Sequence, residues 1–325
     1  MRWVILGNGV MGKWLSLRVR EEFPGDELLQ ISSPLLKSCS KNTTSMVSLN
    51  GVKRGLSPLG DLISDSYDCF EKEIKSFHSF EKASQTFISK DRYLADLSRW
   101  GDLQKGFEDE DFKVDKSFGV KPYECYLIAT EKYLDELDEK IEASKYEGTV
   151  VKINSNTLEL INGEKINFDQ LIVASGAYSK LFPLGKTSTF KVSPGFYKRW
   201  KWDFKRSFCL SFDGMSLIYR LTDKTLLLGT YSKTEKENPD FACTEKELKE
   251  KYSEFQAFFK TQTLPKFHTG ELRWGVRSKA RKRMPAIDKL DQNIWEVGGL
   301  YKNGFLLSPH VSKLSIEKIK NALSW

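Results

Sequence analysis

Short apolar runs alternate with polar segments along the chain, and the first of them predicts a strand followed directly by a helix. Residues 3–6 are all apolar, and residues 13–18 have helical composition without proline. The intervening Gly7-Asn8-Gly9-Val10-Met11-Gly12 has the spacing GxGxxG. In this spacing the first glycine permits a tight turn, the second lets the backbone approach a pyrophosphate, and the third lets the helix pack closely on the strand. The pattern predicts a dinucleotide-binding unit with the amino terminus of the helix facing the phosphates.

The next apolar run, residues 27–31, predicts the second strand of this unit and is followed by Ser32 and Ser33. A Rossmann unit usually has Asp or Glu here, about 20 residues beyond the glycines, to bind an adenosine ribose. Serine can still bond a ribose hydroxyl, and a nearby base such as Lys37 would instead suit a 2′-phosphate. An NADP-dependent reductase therefore stays open as an alternative.

The middle of the chain predicts a helix and then several short strands. Apolar positions at helical spacing predict a helix over residues 130–145. A turn at Asn162-Gly163 predicts a hairpin insertion. Its strands are predicted over residues 149–153, 157–160 and 165–168. The apolar residues up to 173 then predict a buried strand, and the small Ala174, Ser175 and Gly176 that follow would let the backbone approach a nucleotide.

Composition narrows the protein class without identifying a function. The 325 residues are 40% hydrophobic and 29% charged, which is typical of a folded globular protein. The formal charge of +7 favours anionic ligands in general and does not indicate nucleic acid. Five scattered cysteines without CxxC spacing indicate reduced thiols in the cytoplasm, and the three isolated histidines predict no metal site. No apolar run of about 18 residues occurs, so we expect no membrane span.

Three later segments carry a family resemblance. An apolar run that ends in small residues spans 169–179, a Trp-Gly-Val-Arg sequence occupies 274–277, and a glycine-rich segment spans 295–309. In this order they resemble the second flavin fingerprint, the substrate-binding arginine segment and the closing loop of the FAD-dependent D-amino-acid oxidase family. That family includes glycine, sarcosine and D-amino-acid oxidases. The resemblance implies an α/β fold in which a Rossmann-type FAD-binding lobe is interleaved with an antiparallel-sheet substrate lobe.

The resemblance also implies a discontinuous division of the chain. The FAD-binding domain is expected to consist of residues 1–70, 130–185 and 270–325. The substrate domain is expected to consist of residues 71–129 and 186–269. In the latter, residues 217–220 and 226–230 resemble paired strands that line the family's substrate cavity.

By the same resemblance, Arg277 is expected to bind the substrate carboxylate, with Tyr219 and Lys302 as further substrate contacts. A planar guanidinium suits this task because its paired donors match a carboxylate. Thr44 and Ser45 lie where the family has a serine-rich phosphate loop. The residues expected to bind the cofactor are Gly7, Gly9, Val10, Met11, Gly12, Ser32, Ser33, Thr44, Ser45, Val151, Ala174, Ser175, Gly176, Gly299, Lys302, Asn303, Gly304, Phe305 and Leu306.

The resemblance implies a cytoplasmic oxidoreductase that oxidises a small amine or amino acid by hydride transfer from the carbon next to nitrogen to flavin. The flavin itself is the acceptor, so no dedicated catalytic base is expected. No cysteine follows Cys243, which favours noncovalent FAD. No metal is expected in the site.

The segment 277–283 carries five basic residues in seven and departs from the family pattern. Such density is typical of a nucleic-acid patch, but no aromatic residue is interleaved, so a solvated loop is favoured. A polyanionic substrate, or one with two acidic groups, is a further interpretation. A catalytically silent flavin-binding protein with a basic interaction surface also stays open.

Overall fold

The computed structural model describes residues 1–49, 52–90, 103–181, 190–231, 241–280 and 283–323. The strands within these ranges are β1 (Arg2–Leu6), β2 (Glu27–Ser32), β3 (Met46–Val47), β4 (Phe80–Ser89), β5 (Gln104–Glu108), β6 (Lys113–Ile128), β7 (Ser144–Glu147), β8 (Val150–Ile153), β9 (Thr157–Leu160), β10 (Lys165–Asn167), β11 (Gln170–Val173), β12 (Lys191–Lys201), β13 (Phe208–Phe212), β14 (Met215–Arg220), β15 (Thr225–Tyr231), β16 (Glu271–Lys279), β17 (Ala286–Asp291) and β18 (Ile294–Gly298). The α-helices there are α1 (Val10–Glu22), α2 (Pro58–Glu73), α3 (Thr130–Lys140), α4 (Phe241–Gln256) and α5 (Gly304–Leu323).

In the described part of the chain, one sheet has six strands in the order β17-β18-β11-β1-β2-β7. The pairs from β18 to β7 are parallel, and β17 runs antiparallel to β18. Trp3 and Ile5 of β1 pack in the core formed with helices α1, α2, α3 and α5, whereas Val4 and Leu6 pack with the strands β8, β9 and β10. Because successive strand residues face opposite sides, an entirely apolar β1 suits a central strand covered on both faces.

The second large sheet has nine strands among the described residues, in the order β16-β12-β15-β14-β13-β4-β6-β3, with β5 also paired to β6. All its pairs are antiparallel except β13 with β4. One face of this sheet packs against α4 in a core rich in phenylalanine, with Phe212, Phe255 and Phe258 among its buried rings. The other face is turned in part toward the candidate site.

The structure confirms the predicted helix and the predicted hairpin insertion in the middle of the chain. The helix predicted over 130–145 is α3, which ends at Lys140, and the predicted hairpin insertion is the small sheet β8-β9-β10. Strands β3 and β16 pair in the nine-stranded sheet, although the predicted division counts them with the FAD-binding segments. A strand's local pattern does not specify its sheet, so the division itself stays a prediction. No helix among the described residues is long and apolar enough to cross a membrane.

Candidate functional site

A cavity of about 850 Å³ opens between the carboxyl ends of β1, β2 and β11 and the nine-stranded sheet. In open α/β sheets, ligands bind in the crevice outside the carboxyl ends of the strands. Both large sheets contribute residues to its walls. The main lining segments are residues 6–11, 31–48, 147–150, 174–178, 276–278 and 297–306.

The glycine turn between β1 and α1 has no room for side chains at two positions. Gly7 has φ +133°, and a Cβ atom there would lie 2.5 Å from the Ala174 carbonyl oxygen. A Cβ atom at Gly12 would lie 2.0 Å from the Gly7 carbonyl oxygen. Gly12 therefore allows α1 to pack against the turn, and it does not itself line the cavity.

The amino terminus of α1 faces the cavity, where Gly9 begins the helix without a side-chain cap. The Val10 amide donates a hydrogen bond to the Ser40 hydroxyl, with N and Oγ 2.9 Å apart. The first amides of a helix lack partners within the helix, so this terminus is suited to bind phosphate.

Three buried side-chain oxygen atoms on the cavity lining have no hydrogen-bond partner in the described structure. They are Asn8 Oδ1, Ser38 Oγ and Ser45 Oγ. Leaving such a group unpaired costs about 1–3 kcal/mol. A polar ligand would satisfy these atoms, and together with the glycine turn and the helix terminus they fit the phosphates and ribose of FAD.

The carboxyl end of β2 lies beside an acidic residue from another strand. Ser32 is in parallel register with Glu147 at the end of β7, and both residues line the cavity. Ser33 and Thr149 form a hydrogen bond between hydroxyl groups 2.7 Å apart. The sequence places no carboxylate after β2, but the fold brings one there from β7.

Arg277 lies in the cavity wall on β16 and is 8% exposed. Its guanidinium occupies the space beside Gly195, where a Cβ atom would lie 2.1 Å from Nη2, and Nη2 donates to the Pro194 carbonyl oxygen at 3.3 Å. No described carboxylate forms an ion pair with it. Burial lowers the pKa of Arg277, although arginine stays charged at neutral pH. The site therefore holds a buried cation that a ligand carboxylate would neutralise.

Two more cations surround the same aromatic ring as Arg277, and we name Arg277, Lys279, Tyr301 and Lys302 the Tyr301 cluster. The cationic groups of Arg277, Lys279 and Lys302 lie 5.6, 5.4 and 5.7 Å from the Tyr301 ring centroid. Partial desolvation lowers the pKa of Lys302, and the neighbouring Arg277, Arg283 and Lys279 lower it further. The cluster makes this end of the cavity strongly positive.

Three predicted site residues do not line the cavity, and they are Gly12, Val151 and Tyr219. Gly12 serves the packing of α1 against the glycine turn. Val151 is 49% exposed on β8 and does not line the cavity, whereas Val150 does. Tyr219 is fully buried in the aromatic core and donates from its hydroxyl to the Trp202 carbonyl oxygen at 3.3 Å. Ile218 lines the cavity instead, because side chains alternate between the two faces of β14. We correct these three assignments because none of the residues lines the cavity.

The cavity brings together the predicted residues Gly7, Gly9, Val10, Met11, Ser32, Ser33, Thr44, Ser45, Ala174, Ser175, Gly176, Arg277, Gly299, Lys302, Asn303, Gly304, Phe305 and Leu306. Sequence reasoning missed several polar lining residues, among them Asn8, Ser38, Ser40 and Glu147. Asn8 lies within the glycine motif, so its position in the sequence could have indicated that it lines the site. In the basic segment 277–283, Arg277 is buried in the cavity, and residues 281 and 282 lie outside the described residues.

Residues 123–318, more than half of the chain, match the FAD dependent oxidoreductase family. The chain belongs to this family, which confirms the predicted resemblance and the dependence on FAD. No curated protein sequence matches the chain.

Several solved structures share its fold. An iminodiacetate oxidase from Chelativorans sp. BNC1 aligns with a TM-score of 0.76 at 12% identity, covering 98% of this chain and 95% of the other. A glycine oxidase from Geobacillus kaustophilus has a TM-score of 0.73 at 15% identity, with the same coverage of 98% and 95%. An Amadoriase I mutant from Aspergillus fumigatus has a TM-score of 0.74 at 10% identity, covering 99% and 87%. These similarities confirm the predicted fold class.

Proposed function

We propose that this chain oxidises a small amine or amino acid that carries a carboxylate, by hydride transfer from the carbon next to nitrogen to FAD. The observation that carries the proposal is Arg277, a buried cation on the cavity wall without a carboxylate partner among the described residues. Burying a charge without a partner is costly, so a site retains one where a ligand neutralises it. The names of the similar structures, glycine oxidase and iminodiacetate oxidase, support this substrate class.

The chain's own residues would hold the cofactor through its phosphates and ribose. The amides at the start of α1 would bind the pyrophosphate, and the Ser38 and Ser45 hydroxyl groups would satisfy further oxygen atoms. Bound flavin supplies the hydride acceptor. The protein then has to position the substrate and exclude water from it.

Arg277 would orient the substrate and also favour its reactive protonation state. Two parallel hydrogen bonds to a carboxylate set which face of the α-carbon is presented. The positive charges of Arg277 and Lys302 would lower the pKa of a substrate amine bound beside them, since nearby like charges disfavour the ammonium form. The neutral amine has the lone pair that assists loss of hydride, so no separate base is needed.

We propose that FAD is bound noncovalently. Cys39 lines the cavity, but burial raises the pKa of its thiol to about 11. A protonated thiol is a poor nucleophile, so it is not suited to attach the flavin. Acid precipitation should release the flavin into the supernatant, and flavin that stays with the precipitated chain would contradict the proposal.

We also propose a cytoplasmic location. Cys39, Cys69, Cys125 and Cys209 are free thiols in the described structure, which suits a reducing compartment. Subcellular fractionation of the source cells, followed by immunodetection of the chain, tests this proposal. Recovery with secreted or organelle markers would contradict it.

The first experiment is the visible absorption spectrum of the purified protein before and after anaerobic addition of small amino acids and N-methyl amino acids. We expect yellow flavin bands that bleach with at least one carboxylate-bearing amine. Flavin bands that no amine bleaches would favour a catalytically silent flavin-binding protein. A colourless protein that FAD cannot reconstitute would overturn the proposal.

The role of Arg277 is tested by Arg277→Lys, which retains the charge but loses the planar pair of donors. We expect kcat/KM for carboxylate substrates to fall about 100-fold, because a hydrogen bond to a charged group is worth about 1.5–3 kcal/mol. Bound flavin should remain unchanged. Arg54→Lys is the control, since Arg54 is exposed and pairs with Asp65 on the surface. Unchanged kcat/KM in the Arg277 variant would show that the substrate anchor lies elsewhere.

A further inference from the structure

The Tyr301 cluster contains more positive charge than one substrate carboxylate requires. Arg277 and Lys302 both line the cavity, and no described carboxylate forms an ion pair with either of them. Arg283 adds a further positive charge nearby. Like charges held close together repel each other. Arg277 is shielded from solvent, whereas Lys302 and Arg283 are exposed.

The backbone at the centre of the cluster is also strained. Tyr301 has φ +54°, a left-handed conformation that costs roughly 1–2 kcal/mol for a residue other than glycine. This conformation precedes α5 and holds the ring where the three cations converge. Repulsion between cations at one end of a cavity points to an anionic ligand that offsets it.

We propose that the substrate is an amine that carries two carboxylate groups, one bound by Arg277 and the other by Lys302. Lys279 contributes to the positive potential around the same ring. This inference rests on the proposed function and names its substrate class. The burial of Arg277 within the cavity favours a small dianion over an extended polyanion such as nucleic acid.

The test uses two unreactive ligands of nearly equal shape, succinate and its half-amide succinamate. Their dissociation constants from the FAD-loaded protein are measured by perturbation of the flavin absorption bands. We expect succinate to bind at least tenfold more tightly, with the difference shrinking as ionic strength rises. Lys302→Gln should reduce the succinate-to-succinamate ratio to about one. Lys289→Gln is the matched control, since Lys289 also lies near an aromatic ring, that of Trp295, but does not line the cavity.

The outcomes separate this inference from the proposed function. Equal binding of the two ligands to the unaltered protein, or an unchanged ratio in Lys302→Gln, would overturn the dicarboxylate inference alone. A protein without flavin bands would contradict the proposed function itself, and the dicarboxylate inference would fall with it. Turnover of aspartate compared with asparagine, for both enantiomers, extends the test to substrates, and a preference for asparagine would also overturn the inference.

A separate observation concerns the adenosine end of the cavity. We infer that Glu147 binds the adenosine ribose of FAD in place of the acidic residue that usually follows the second strand. Glu147 is in register with Ser32 and lines the cavity, with its side chain exposed at the end of β7 where a ligand can reach it. The Gly148 amide donates to the Ser32 carbonyl oxygen at 2.9 Å, which holds the two strand ends together. A carboxylate there would also repel the 2′-phosphate of NADP.

The apoprotein allows a direct test with FAD and its 2′-deoxyadenosine analogue. The unaltered protein should bind FAD about tenfold more tightly than the analogue, in the range of a hydrogen bond to a charged group. Glu147→Gln should weaken FAD binding and remove most of this preference, whereas Glu139→Gln, an exposed position on α3, should retain it. A preference that persists in Glu147→Gln would show that Glu147 does not bind the ribose.

Discussion

Individual residues in this protein are constrained most where backbone approaches backbone. At the turn between β1 and α1, the space that a side chain would need at Gly7 or Gly12 is already taken by carbonyl groups. Arg277 shows the complementary case, because Gly195 leaves the space that its guanidinium fills. The local geometry thus determines where a ligand can approach the glycine turn and where the buried guanidinium lies.

Replacing Gly12 with alanine should lower the free energy of unfolding by about 2 kcal/mol or more. The new methyl group would lie 2.0 Å from the Gly7 carbonyl oxygen, so α1 would have to move. Urea unfolding of the apoprotein measures the loss of stability, and FAD titration measures whether the movement of α1 weakens cofactor binding. Gly25→Ala is the control, since nothing lies within 4 Å of its added Cβ atom. Equal stability of both variants would contradict the close packing.

Tyr219→Phe should leave substrate binding unchanged, since Tyr219 lies in the aromatic core and away from the cavity. Loss of the hydrogen bond to the Trp202 carbonyl oxygen should cost about 1 kcal/mol of stability. Thermal unfolding and steady-state kinetics measure the two effects. A tenfold rise in KM would restore Tyr219 as a substrate contact.

At the scale of elements, strand register decides which side chains meet. Pairing of β2 with β7 brings Glu147 beside Ser32, and pairing of β12 with β16 brings Gly195 opposite Gly275, on the strand that carries Arg277. Helices α1 and α3 are joined by an ion pair between the buried Lys13 and Asp138. Register and ion pairing therefore fix the relative positions of elements that are distant in the sequence.

The turn between β14 and β15 should account for part of the acid sensitivity of the protein. Burial alone would raise the pKa of Asp223, but hydrogen bonds and the charge of Arg220 outweigh it and hold that pKa below its usual 3.8. A depressed carboxyl pKa stabilises the folded state above about pH 4, and this stability is lost as the pH falls through the lower folded-state pKa.

Asp223→Asn should therefore lower the free energy of unfolding by about 1–3 kcal/mol at pH 7, because Arg220 is left buried with a weaker partner. The difference from the unaltered protein should shrink below pH 4. Urea unfolding across the pH range measures it. Asp203→Asn, which breaks an exposed pair with Lys224, should change stability by less than about 0.5 kcal/mol. A constant difference at all pH values would contradict this assignment.

For the molecule as a whole, the cavity is lined by residues of both the six-stranded sheet and the nine-stranded sheet. A cofactor that filled this cavity would contact both sheets, so its binding energy would add to the stability of both. The alternative of an NADP-dependent reductase makes a different prediction for how each cofactor changes the thermal stability of the protein.

FAD at 100 times its dissociation constant should add about 2.7 kcal/mol and raise Tm by about 5 °C in a single transition. NADP at the same concentration should leave Tm unchanged. Differential scanning fluorimetry of the apoprotein measures both effects. A rise in Tm with NADP and none with FAD would support the reductase alternative.

Features that depend on neighbouring residues can be predicted from the sequence alone. The strand, glycine turn and helix of residues 2–22, the helix α3 and the small sheet β8-β9-β10 follow from local spacing, and the family segments pointed to Arg277. These features can be predicted because each is formed by contiguous residues.

Tertiary structure decided what depends on register and on pairing between distant segments. It placed β16 in the nine-stranded sheet, turned Tyr219 into the core, brought Glu147 beside Ser32, and gathered Arg277 and Lys302 around Tyr301. A shift of one residue along a strand reverses the face on which a side chain lies, and no local pattern specifies the partner strand. The sequence therefore identifies many of the residue types in the site, but only the fold sets the positions of these residues relative to one another.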